Sequence, residues 1–158
     1  MSNLYGDWGK MKSFMVGCNP RFLKAMDEAT NENLKLGERA VVLNLRNQKF
    51  RSRWPAYTPE YQKYKERKGL SSKMLIATST MMRSITSVKE SPFEGAVGVL
   101  RRTKYRNRSG RINVANVAAI HEFRRRKGRP LWKPTLDEII DEVLDNHDKA
   151  MRKVVFGG

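Results

Sequence analysis

Cysteine is almost missing from this chain: Cys18 is the only one among 158 residues. That excludes an internal disulfide framework and a multi-cysteine metal site. A lone cysteine in this setting reads as a small apolar filler rather than a reactive thiol, and intracellular synthesis is the default without disulfides. Histidine is nearly as scarce, with only His121 and His147. The pair His121-Glu122 opens like a HExxH metal helix, but Arg125 stands where the second histidine would be. No GxSxG elbow occurs, and no nucleophile is set beside a base. The expectation is a protein with no metal, no cofactor and no catalytic residue. Long apolar runs are also absent, and the first residues carry Tyr5, Asp7 and Trp8 rather than a signal-like apolar core. A soluble chain without a membrane partner is expected.

Acid is the other thing in short supply. Lys and Arg number 32 against 16 Asp and Glu, a formal charge of +16. Such a balance favours polyanionic partners, either nucleic acid or an acidic protein surface. Two runs concentrate the excess. One is Arg101, Arg102, Lys104, Arg106, Arg108 and Arg111; the other is Arg124, Arg125, Arg126, Lys127 and Arg129. The bland reading of such runs is a solvated face. These two flank one apolar segment, so they are expected close in space, where they would repel each other without an anion nearby. Neither lies on a helix-turn-helix, zinc-finger or RNA-binding pattern, so contact with DNA would be to its backbone and indifferent to sequence. Trp54, Tyr57, Tyr61 and Tyr64 are interleaved with cations. Base stacking is conceivable there, but packing of Trp54 and Tyr57 against the core is the stronger expectation.

The length suits one domain, residues 1–158. Residues 1–19 lack clean periodicity and read as an extended arm or a short strand. Asn19 as N-cap and Pro20 at the first helical position predict a helix from there to about residue 49. Its stripe is Phe22, Met26, Ala29, Asn33, Leu36, Ala40 and Leu43. Residues 50–70 read as a loop with a turn of helix near Glu60–Lys68, and residues 72–85 as a second short helix. Strands are expected at Ile85–Glu90 and Gly95–Leu100, around a turn at Ser91-Pro92. Residues 101–111 form a basic loop or the tip of a long hairpin, and Ile112–Ile120 is either strand or short helix. In the last helix Thr135 and Glu138 make a capping box, and Leu136, Ile140, Val143, His147 and Met151 make a buried stripe against the sheet. The class is α+β: a long N-terminal and a C-terminal helix packed on a small antiparallel sheet, with long loops.

One more feature is the order of the short motifs. Trp54-Pro55 stands with Tyr57-Thr58-Pro59, and residues 73–81 (KMLIATSTM) with Ser84-Ile85. Val97-Gly98-Val99 comes next, then residues 118–123 (AAIHEF) with Arg129-Pro130-Leu131-Trp132. Over residues 50–155 this order resembles the tail-completion and virion-morphogenesis proteins of tailed phages. That pattern has a tryptophan-proline loop, a Thr-Gly-x-Leu step and a Val-Gly strand. A His-Glu-Phe-Gly segment and an Arg-Pro-Phe-Leu step into the last helix follow. Here Ser79 and Arg124 replace glycines, Leu131-Trp132 replaces Phe-Leu, and the basic insert is longer. An Arg at 124 implies a backbone that need not reach positive φ.

The resemblance implies a non-enzymatic virion protein made in the host cytoplasm. It would form a ring, commonly sixfold, at the head–tail junction, against neighbouring neck and tail-tube proteins and with genome DNA in the channel. His121, Glu122 and Phe123 would then be a structural corner, with Pro130 and Trp132 bracing the last helix. The cations would face the DNA or a partner ring. A stand-alone, non-specific DNA-binding protein is the alternative.

Overall fold

The computed structural model describes residues 8–107 and 110–156; the side chains of residues 8–15, 18 and 105–107 lie outside that description, and with them the reading of Cys18. Helix α1 spans Trp8–Asn47 and measures roughly 60 Å at 1.5 Å per residue. It therefore starts eleven residues before Asn19 and passes through Pro20, so residues 8–19 are helix and not an extended arm. A proline inside a helix frees the carbonyl four residues back. Here that is Val16, which is itself exposed, so water can take the freed group.

The buried stripe of α1 also differs from the expected one. It runs through Met26, Ala29, Thr30, Gly37, Val41 and Leu45, so Met26 and Ala29 are buried as expected, Phe22, Asn33, Leu36 and Ala40 are half-buried, and Leu43 lies on the exposed side. Gly37 is the reason the helix can sit so close to the sheet. A Cβ there would lie 3.1 Å from Val97 Cγ2. At the C-terminus, Gln48 takes φ 56° and Lys49 N donates to Asn44 O at 3.0 Å, the αL closure of a helix end. The Gln48 amide then bonds Met74 in both directions, Nε2 to Met74 O at 3.0 Å and Met74 N to Oε1 at 2.7 Å. A single side chain thus ties the helix end to the loop of residues 70–79.

That loop is not the expected second helix. Only Thr80–Arg83 (α3) closes a helical turn, because Leu75 and Ser79 both take positive φ. Before it, Pro59–Arg67 forms α2, with Thr58 as N-cap. Strands β1 (Ile85–Lys89) and β2 (Gly95–Val99) pair antiparallel, Ile85 opposite Val99 and Lys89 opposite Gly95. Thr30 on α1 pins their turn by donating to Pro92 O at 2.7 Å. Strands β3 (Lys104–Asn107) and β4 (Gly110–Asn113) make a separate hairpin, the second of the two forms expected for the basic segment. Asn113 caps helix α4, Val114–Phe123, and helix α5 covers Trp132–Phe156. The α+β class stands, with α1 packed on β1 and β2.

Helix α5 lies chiefly along α1 and not on the sheet. Its inward positions are Thr135, Ile139, Val143, Asn146, His147 and Ala150. Leu136, Ile140 and Met151, expected inside, are exposed. Asn33, a polar break in the α1 pattern, is the clamp between the helices. It donates to Val143 O at 3.0 Å, lies 3.0 Å from His147 Nδ1, and accepts from Asn146 Nδ2 at 2.8 Å. The core gathers Val41, Leu45, Trp54, Ile76, Val114 and Leu131 under these elements.

Candidate functional site

The opening of α5 is built from α4. After Phe123 the chain turns through residues 124–128 and returns, with Arg129 N donating to His121 O at 2.7 Å. Gly128 makes this possible: a Cβ there would fall 2.2 Å from Arg124 O. Arg124 has φ −75°, so it needs no glycine. The Glu122 carboxylate then accepts three backbone N–H groups, from Leu131 at 2.7 Å, Trp132 at 3.0 Å and Lys133 at 2.8 Å. These are the orphan donors of a helix N-terminus, where negative charge is also favoured by the helix dipole. Thr135 is not the cap. It sits a turn inside α5 and donates from Oγ1 to Leu131 O at 2.6 Å, while Asn44 bonds both Thr135 Oγ1 and Glu138.

Arg129 belongs to this brace and not to the basic surface. It is 8% exposed and donates twice to Pro55 O, at 3.1 and 2.8 Å, and once to Ala56 O. Its guanidinium lies 4.6 Å from the Tyr57 ring centre, and Lys65 Nζ stands 4.9 Å from the same ring. The Tyr57 hydroxyl accepts from Leu75 N at 2.9 Å. Trp54 Nε1 donates to Pro130 O at 2.9 Å. The Trp54-Pro55 loop, the His121-Glu122 segment and the Arg129-Pro130 step therefore lock into one junction. Trp132 packs half-buried against the core. Phe123 is the exception at the corner: it is 80% exposed, at the edge of a shallow groove shared with Val99, Ala119 and Trp132.

The free cations surround this junction. Arg124, Arg125, Arg126 and Lys127 are all exposed on the tight loop. Arg101, Arg102, Lys104 and Arg111 are exposed on or beside the β3–β4 hairpin, where Arg106 and Arg111 are direct cross-strand partners. Like charges at such positions repel. The Arg106 side chain and all of Arg108 lie outside the described residues. Among the described residues, none of these exposed cations forms an ion pair. The two groups are not adjacent, as expected from sequence, but stand at opposite ends of α4. Ten residues of helix, about 15 Å, lie between the two points where these segments join α4.

Between them, Tyr57, Tyr61, Tyr64, Thr80, Met81 and His121 help line a cavity of about 450 Å³. Among the described residues its wall holds the His121 imidazole, three tyrosines and Lys68. His121 Nδ1 is buried without a hydrogen-bond partner among the described residues. Burial, then the nearby charges of Arg129 and Arg124, hold this imidazole below its ordinary pKa. No three metal-ligating side chains converge among the described residues. Among the described residues, no helix is long and apolar enough to cross a membrane.

Compared with protein-family models, curated proteins and solved structures, the chain matches none.

Proposed function

We propose that this chain is a structural protein of the tailed-phage neck. It is a tail-completion, tail-terminator or head–tail connector subunit that assembles as a ring around the DNA path. One observation carries this reading. Three of the short motifs that resemble that family, far apart in sequence, meet at a single junction: Trp54 on Pro130, Arg129 on Pro55, Glu122 on the start of α5. Motifs matched by chance have no reason to bond one another. The junction is a rigid base, and it presents the loop of residues 124–127 outward with four unpaired cations.

A ring at the neck gives such cations a use, since DNA phosphates cross its lumen and neighbouring rings meet its rims. The second reading, a stand-alone non-specific DNA-binding protein, is favoured by the same exposed arginines. Replacing Arg124, Arg125 and Arg126 with Glu separates the two. For a neck protein the yield of joined particles is expected to collapse. For a stand-alone binder, joining is untouched while affinity for duplex DNA and its steep salt dependence are lost. Normal values on both counts would leave these arginines as a solvated face and would remove the functional weight placed on the loop.

A further inference from the structure

Acidic residues concentrate on helix α5, beside exposed apolar ones. Six of the sixteen acids fall within residues 137–148, a stretch with no Lys or Arg in a chain of charge +16. That stretch is the middle of α5. On the same helix Leu136, Ile140, Leu144, Met151 and Val155 are all exposed, from 37% to 59%. At 3.6 residues per turn these five positions fall within an arc of about 100°. Asp137, Asp141, Asp145 and Asp148 follow along one side of that arc and α1 covers the other side; Asp137, Asp145 and Asp148 each pair with a cation one turn away, Lys133, Lys149 and Arg152, while Asp141 and Glu142 form no ion pair among the described residues.

A helix in water does not hold an apolar stripe of this length without cost, and scattered exposed leucines would not align. The acidic rim narrows the occupant. An occupant that brings apolar side chains and positive charge together, at close spacing, covers the stripe, meets Asp141 and Glu142, and competes with exposed i,i+4 pairs that are individually weak. The chain carries such an object: Ile120 and Phe123 are 54% and 80% exposed, and the four cations of residues 124–127 follow them directly. Loop and helix are held at a fixed relation by the Glu122 cap.

We infer that the α5 stripe of Leu136, Ile140 and Leu144, with its aspartate rim, receives the Phe123–Lys127 loop of a second copy of this chain. Donor and acceptor are different surfaces, so the contact is head-to-tail, the type that closes into a ring. The inference rests on the ring reading above and names its interface. It assigns the loop of residues 124–127 to the neighbouring subunit, and leaves the β3–β4 hairpin, with Arg101, Arg102, Lys104 and Arg111, as the cationic surface for phosphate.

The test uses two reversed proteins and their mixture. One carries Asp137→Lys, Asp141→Lys and Asp145→Lys; the other carries Arg124→Glu, Arg125→Glu and Arg126→Glu. Each alone would meet like charge at every contact, whereas alternating copies restore opposite charge at every one. Sedimentation velocity is run over a concentration series at low salt on the wild type, on each variant and on the equimolar mixture. Expected are closed oligomers of the wild type, monomers of each variant, and oligomers of even copy number on mixing. Recovery on mixing also shows that both variants are folded. Variants that associate alone like the wild type, a mixture that stays monomeric, or assembly that stops at a dimer would each overturn this interface. So would a wild type that remains monomeric throughout. In that last case the copy number in the virion neck still decides the ring reading on its own.

Discussion

Arg125 and Arg129 lie four residues apart in one basic run and have the same side chain, yet they do opposite things. Arg129 is buried, spends its fork on the carbonyls of Pro55 and Ala56, and lies against Tyr57. Arg125 is exposed and without an ion pair among the described residues. The difference is made by the backbone, not the charge. Gly128 lets the chain double back until Arg129 N reaches His121 O. The residues before that point are thrown outward and the one after it inward. A run of cations is therefore not one feature. Its last member is part of the scaffold that makes the others available.

The largest effect should come from breaking the inward member. Arg129→Ala leaves two carbonyls without donors and strips one face of Tyr57, a loss of about 2–4 kcal/mol in urea unfolding. Arg129→Lys keeps the charge but not the fork, and should cost roughly 1–2 kcal/mol. If the lysine variant were as stable as wild type, bidentate geometry would not be what holds the junction. Next comes the other anchor of the same turn. Glu122→Ala uncaps three amides at the start of α5 and should cost about 2–3 kcal/mol, with Glu122→Gln intermediate. A neutral Glu122→Ala would mean that water caps the helix equally well.

A smaller effect is expected from pH. The His121 pKa is lowered in the folded protein, so the unfolded chain binds the proton more readily. Stability from this group is intact above the ordinary imidazole pKa of about 6.5 and is lost as pH falls below it towards the folded value. The urea midpoint of wild type should drop between about pH 7.5 and pH 5 by more than that of His121→Leu. Equal drops would show that the imidazole is solvated and that the cavity wall is open. Smallest of all is the outward member: Arg125→Ala should change stability by no more than about 0.5 kcal/mol. A loss comparable to that of Arg129→Ala would erase the contrast between the two arginines.

Much of the frame was legible in the sequence because periodicity and turn chemistry act locally. The β1–β2 hairpin falls within one residue of its expected bounds, and so does α2 against the turn of helix expected near Glu60–Lys68. What was illegible depends on contacts distant in sequence. Pro20 resembles a helix start, and only solvent around Val16 lets α1 run through it. Thr135 and Glu138 have capping-box spacing, but the cap arrives from Glu122, nine residues before the first amide it holds. Leu136 and Ile140 have core periodicity and face outward, because α1 takes the neighbouring side of α5. Ser79 replaces a glycine of the resembling pattern and yet keeps a left-handed φ of 60°, whereas Arg124, the other replacement, takes an ordinary one. The same substitution was thus tolerated in two ways. For the site, the density of cations could be read directly. Their division into one anchor and two groups joined to opposite ends of α4 could not, since it turns on Gly128 and on that helix.

The central claim is that this chain forms a ring in the virion neck, and a direct image of assembled particles tests it without assumptions about the free protein. With the chain labelled at the C-terminal end of α5, the account predicts a closed ring at the head–tail junction, sixfold by the resemblance, with the β3–β4 hairpins towards the DNA. A single copy per particle, or particles in which the chain is absent, would contradict it.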